Sequence, residues 1–196
     1  KNPWQSNSIQ RARVLLKEVS QDPERTLIVV DPRRTESAEL ADIHLAVKPG
    51  RDAWALSAMI AHVIQQSLIP TNWLNVNVIG LDRVIERFSA IDVEGYATFA
   101  GLNPADVRAA AEAIAKAKTS AYYEDLGVQM APHSTLLSYL NLLMMTITGH
   151  FGRPDTLAPL KSLIGQFFAL HDVAEADDAG YEPQGRLSPV VGARIV

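Results

Sequence analysis

Ile28-Val29-Val30-Asp31-Pro32-Arg33-Arg34-Thr35-Glu36-Ser37-Ala38 is the stretch whose reading decides the fold. A mostly β-branched run over residues 26–30 stops on an acid, then a proline, then two arginines. β-Branched residues suit a buried strand, and Pro32 ends the pairing because it has no N–H to give a ladder. The strand therefore delivers the Asp31 carboxylate to its own C-terminal edge. In open α/β sheets ligands bind in the crevice outside the carboxyl ends of the strands. A carboxylate there accepts hydrogen bonds from a ribose or a guanine edge, and Arg33, Arg34 and Thr35 suit the anionic part of the same ligand. The plainer alternative is a solvated turn with a surface Arg–Asp pair.

Working outward, residues 44–47 read as a second, shorter strand that ends at Lys48-Pro49-Gly50 and again places an acid, Asp52, at a strand edge. Asp52 also suits the N-cap of the helix that follows, a common use of aspartate. That helix runs to about Gln66, with Leu56, Met59, Ile60 and Val63 turned inward and His62 partly exposed. Upstream, Ile9, Ala12, Leu16 and Val19 mark one face of a first helix, which Ser6, Asn7 or Ser8 would cap. Downstream, short helices are expected over residues 35–40, from Thr71 through Leu74, and over 81–88 and 93–99. Asn103 and Pro104 then start an alanine-rich helix as N-cap and first helical residue. Residues 120–124 read as a further strand, 134–148 as an apolar helix on the face of the sheet, and Gly149 as its C-terminal stop. Residues 175–186 have the composition of a linker.

Several function classes are disfavoured by composition. The chain has 196 residues, enough for one domain with a substantial core. Its net charge of −4 makes no case for nucleic acid. With no cysteine it has no disulfide, no thiolate metal site and no cysteine-ligated iron–sulfur cluster. His44 and His62 each lack a second histidine at ligand spacing, so neither is read as a metal ligand. No apolar run approaches the ~20 residues of a membrane span. The compartment stays open, with the cytoplasm slightly favoured. The chain opens on Lys1-Asn2-Pro3, which reads as an excised piece of a longer protein.

Asp31-Pro32-Arg33-Arg34-Thr35-Glu36-Ser37-Ala38, then Leu40-Ala41-Asp42-Ile43-His44-Leu45, then Lys48-Pro49-Gly50-Arg51-Asp52, resembles the molybdopterin oxidoreductase family. That family includes formate dehydrogenases, nitrate reductases and dimethyl sulfoxide reductase. The similarity runs from Asn2 to about Pro154. It implies an α/β fold: a three-layer, mostly parallel sheet of the Rossmann-like, dinucleotide-binding type, with a helical cover. Residues 1–175 would form a domain binding molybdopterin guanine dinucleotide, with its first strand missing, and 176–196 a linker into a following segment. The implied cofactor is bis-molybdopterin guanine dinucleotide with molybdenum or tungsten in the full-length parent, and the fragment alone need not bind it. The implied contacts are Asn2, Asp31, Arg33, Thr35, Pro49, Gly50, Asp52 and Gly127, with Asp52 pairing to guanine and no catalytic residue in this chain. Its partners would be the remaining domains of the parent enzyme, with neither nucleic acid nor membrane insertion.

The chain departs from the family pattern in places. Asp125 stands where glycine is frequent, Met130 where glutamine is, and His150 replaces the asparagine of a Gly-Asn-x-Gly-Arg-Pro turn. After Pro154 a glycine-rich polar loop gives way to a largely apolar stretch. Two other readings therefore stay open. One is a structural or interaction domain that kept the fold and lost the ligand. The other is a different class of nucleotide-binding domain, although neither Gly-x-Gly-x-x-Gly nor a Walker lysine is present.

Overall fold

A single helix, α3 (Asp52–Gln65), is the element the others pack against; α5 (Leu81–Ser89), α6 (Val93–Ala100), α7 (Pro104–Lys116) and α9 (Ser134–Ile147) all lie on it. The computed structural model describes residues 2–5, 9 and 11–151. α3 is buried nearly all round, and its smallest residues explain how. Ala58 and Ala61 are fully buried, as are Ala97 and Ala100 of α6 and Ala110 and Ala111 of α7. Facing alanines let helix axes approach closely, while Met59, Ile60 and Val63 fill the remaining space beside Leu140, Leu143 and Ile147.

The strands are β1 (Ile28–Val30) and β2 (Ile43–Leu45), joined through the one-turn helix α2 (Glu36–Glu39). They pair in parallel, with Ile28 opposite Ile43 and Val30 opposite Leu45. Leu45 and Val47 sink into the core against α3, and α7 packs on β2. α1 (Ala12–Gln21) precedes β1, while α4 (Thr71–Asn77) and α8 (Leu126–Gln129) complete the described elements. The parallel pairing and the helical cover match the sequence expectation. The architecture among the described residues is mostly helical, with a sheet of two strands.

Four expectations are corrected. Residues 120–124 form no strand and join no ladder among the described residues. They are tied instead to α9, where the Glu124 carboxylate accepts from Ser138 Oγ at 2.6 Å and Asn141 Nδ2 at 2.8 Å. α9 packs mainly on α3, and the helix on β2 is α7. His62 is buried, 6% exposed, because α3 has no solvent face at that turn. Its Nε2 meets Glu112 Oε1 at 3.1 Å, and Lys116 Nζ binds the other oxygen of the same carboxylate at 2.6 Å. α1 starts after Arg11, whose φ of 55° lies in the left-handed region, and no side chain caps it. Ser6, Asn7 and Ser8, the linker at 175–186 and the segment 176–196 lie outside the described residues.

Candidate functional site

Because β1 and β2 are parallel neighbours, the loops that leave them emerge side by side on one edge. The last rung is the Asp31 N–H donating to Leu45 O at 3.2 Å. Beyond it the chain leaves β1 as residues 31–35 and β2 as residues 46–52, both from the carboxyl end of the parallel pair.

The first loop is locked from within. Asp31, 7% exposed, accepts the Arg33 N–H on Oδ1 at 2.8 Å, a side-chain turn of the kind aspartate favours. His44 Nε2 donates to the Asp31 carbonyl at 2.9 Å, so His44 serves as a structural tie. Arg33 and Arg34 are exposed. Arg34 stands on the rim of an open cavity of about 310 Å³ shared with Asp42, His44 and Asp106. Thr35 occupies the N-cap position of α2 with extended backbone, yet its hydroxyl caps nothing. It is 8% exposed, and its Oγ1 is buried without a hydrogen-bond partner. A buried hydroxyl left unpaired costs about 1–3 kcal/mol, and such an atom in a native fold asks for an explanation.

Asn2 is brought to the same place, from 35 residues away, by Ser37. Its carboxamide oxygen accepts from Ser37 Oγ at 2.5 Å, and its Nδ2 donates to Glu36 Oε2 at 2.5 Å. Gln5 Nε2 donates to the other Glu36 oxygen at 2.5 Å. Glu36 is lowered from its ordinary value, first by its own backbone N–H and, more weakly, by Asn2, Gln5 and Arg33, against a burial cost second in size to the backbone bond. Sequence reasoning missed Glu36 and Ser37 as the residues that seat Asn2, since nothing local signals a contact at that separation.

In the second loop, Lys48-Pro49-Gly50-Arg51 closes as a turn with Arg51 N–H donating to Lys48 O at 3.0 Å. Gly50 has φ +76°, which favours glycine, and the atom nearest to where its Cβ would sit is Cδ of Pro132 at 3.8 Å. The loop before α9 therefore reaches the same edge. Asp52 is the first residue of α3, with Arg51 at the N-cap position. Burial pushes the Asp52 carboxyl above its ordinary value, more than the hydrogen bond from its own backbone N–H lowers it. Burial thus outweighs both that bond and the helix N-terminus, whose dipole favours negative charge. Gly127 is placed differently from expectation. It lies exposed within α8, a helical turn in place of a glycine-rich loop, because Asp125 caps that turn through Leu126 N at 2.6 Å.

Among the described residues, no group of three or more His, Cys, Asp or Glu could hold a metal ion. No helix among them is long and apolar enough to cross a membrane.

Known proteins similar to this chain are far longer than it is. No family model matches it. The assimilatory nitrate reductase catalytic subunit of Bacillus subtilis (strain 168) is 28% identical over 127 residues, 65% of this chain and 18% of the subunit. Formate dehydrogenase H of Escherichia coli (strain K12) is 30% identical over 162 residues, 80% of this chain and 21% of that protein. Among solved structures, acetylene hydratase from Pelobacter acetylenicus matches with a TM-score of 0.63 at 27% identity, over 66% of this chain and 18% of that one. The chain spans about a fifth of the length of the curated relatives it matches.

Proposed function

We propose, from the premise that this chain belongs to the molybdopterin oxidoreductase family, that it is the part of such an enzyme that holds the guanine-nucleotide end of the cofactor. The observation that supports the reading is that two polar groups follow the carboxyl ends of neighbouring parallel strands: the buried, unpartnered Thr35 hydroxyl and the half-buried Asp52 carboxyl at the start of α3. Those two groups fit a nucleotide. Guanine offers a ring N–H and an amino group as parallel donors, which a carboxylate such as Asp52 accepts together, whereas adenine lacks that pair. Thr35 Oγ1 would exchange a hydrogen bond with the ribose or a phosphate oxygen. The exposed Arg33 would meet the diphosphate, and the Pro49–Gly50 turn offers backbone at close range. Asn2 would contribute through its remaining amide capacity, and Gly127 through the approach of its loop.

Bound molybdopterin would supply the redox chemistry at its metal; this chain's residues bind, orient and exclude water. None of them is a catalytic residue in this reading. Residues 1–175 make up the nucleotide domain, completed as a wider three-layer sheet by the rest of the protein, whose other domains are its partners.

The test is calorimetric titration of the chain with GDP and with ADP, repeated with Asp52→Ala. Weak binding of GDP over ADP, lost in the variant, is the expected result. Equal binding of the two nucleotides would sink the role of Asp52. One set of observations favours a second reading, a domain that kept the fold and lost the ligand. The Asn2 carboxamide is engaged at both ends, Asp31 already serves the Arg33 N–H, and Asp125 caps a helix. Binding of neither nucleotide, by the chain or by the full-length protein, would establish that alternative.

A further inference from the structure

Arg51 stands between the three residues of the second loop assigned to the nucleotide, yet its side chain turns away from them. Its NH1 donates to the Phe99 carbonyl at 2.5 Å, and its guanidinium carbon lies 4.1 Å from the centroid of the Phe99 ring. The other neighbour of that ring is Trp54, with centroids 5.0 Å apart and planes tilted by 53°. The main chain repeats the connection: Lys48 N–H donates to Ala100 O at 2.9 Å. Lys48 also lays its aliphatic stem against Gly101, where a Cβ would come within 2.7 Å of Lys48 Cγ. Four consecutive residues at the end of α6 and after it, 98–101, thus serve either as the stop of that helix or as an anchor for the turn.

We propose that Arg51 is a positioning residue: it clamps the Pro49–Asp52 turn to the C-terminal end of α6, so that the nucleotide site is set before any ligand arrives. An arginine beside a nucleotide site is ordinarily read as a phosphate ligand. Here the geometry assigns it to the scaffold, because the guanidinium is committed to a carbonyl and an aromatic face at once. Cation–π contact and a charge-assisted hydrogen bond in one side chain are worth enough together to change the opening of a surface turn about tenfold. A turn held before binding loses less freedom on binding, which is how such a clamp would raise affinity. The inference rests on the nucleotide reading for its effect on affinity, but not for the clamp itself.

The test has two arms on the 196-residue chain. Hydrogen exchange without ligand is followed over residues 50–54 in wild type, Arg51→Ala and Arg51→Lys. Removing the clamp speeds exchange there about tenfold, with α7 and α9 unchanged. Lysine, which keeps the charge but loses the planar fork that reaches the carbonyl and the ring at once, restores only part of the protection. The second arm measures GDP binding by the same three proteins, with a loss of about tenfold expected for Arg51→Ala and partial recovery for Arg51→Lys. Unchanged exchange in Arg51→Ala would overturn the clamp outright. Faster exchange with undiminished GDP affinity would overturn its role in positioning. Faster exchange in a chain whose wild type binds no GDP would uphold the clamp while the nucleotide reading fails, so the two failures are told apart.

Discussion

Replacing Gly101 with alanine is expected to weaken the fold by roughly 2 kcal/mol, through two separable effects. Gly101 follows the last residue of α6 with φ +82° and ψ 21°, a left-handed conformation. An L residue there costs about 1–2 kcal/mol relative to glycine, partly offset by the smaller entropy of the alanine chain when unfolded. The second effect is steric. The new methyl would lie 2.7 Å from Lys48 Cγ and 2.8 Å from its Cδ and Cε, inside any real carbon–carbon contact. These atoms belong to the stem of Lys48, so the side chain must leave its rotamer at a cost of about 1 kcal/mol. Urea denaturation followed by circular dichroism reads both effects. With an m-value of about 2 kcal/mol/M, the midpoint should fall by about 1 M for Gly101→Ala. In a Lys48→Ala background the obstacle is gone, and the same substitution should lower the midpoint by only about half as much. An identical loss in both backgrounds would refute the contact between Lys48 and Gly101. A loss below about 0.5 kcal/mol would refute the backbone argument as well.

Two further outcomes follow from the helix N-termini. Asn103 accepts the Ala105 N–H at 3.0 Å with Pro104 behind it, so Asn103→Ala should cost about 1 kcal/mol by the same urea assay, and Asn103→Asp much less. Asp52 is raised in the folded chain, so the fold loses stability as pH climbs through the upper carboxylate range and the buried group must ionise. Asp52→Asn should therefore raise the melting temperature slightly at pH 7, by about a degree or two given its partial exposure, and leave it unchanged near pH 3. A melting temperature that falls at pH 7 would show that the helix dipole outweighs burial at this position.

The parts of the fold that the sequence made legible are those with a local cause. Pro32 and the Lys48-Pro49-Gly50 turn end strands for reasons contained in two or three residues, and Asn103-Pro104 starts α7 by its own hydrogen bond. α3 was legible as a helix but not as a hub. An amphipathic reading leaves His62 partly exposed, whereas the buried alanines of α6 and α7 go with a helix that is closed on all sides at that turn. Residues 120–124 have the composition of a strand, but pairing needs an edge to pair with, which no local pattern specifies. Gly127 suggested a loop, and the cap from Asp125 made a helical turn instead. At the candidate site, the order of Asp31, Thr35, Gly50 and Asp52 was visible because two parallel strands bring them to one edge. The residues that hold them, Glu36 and Ser37 for Asn2 and Phe99 for Arg51, act across 34, 35 and 48 positions and leave no trace in the local sequence.

That division has a physical consequence for how the site survives. Two paired strands of three residues make a ladder too short to be stable alone. The geometry of their carboxyl ends must therefore be maintained by what surrounds them. Leu45 and Val47 are held by the α3 core, the loop after β1 by its own Asp31 turn, and the loop after β2 by α6. A substitution in the interface of α3 with α6, at Ala58 or Ala97, would then move Asp52 and Gly50 without touching any ligand, while one at Leu74 on α4 would lower stability and leave the site's geometry alone. The parallel strands decide which loops leave on one edge, and the helical packing holds those loops in place.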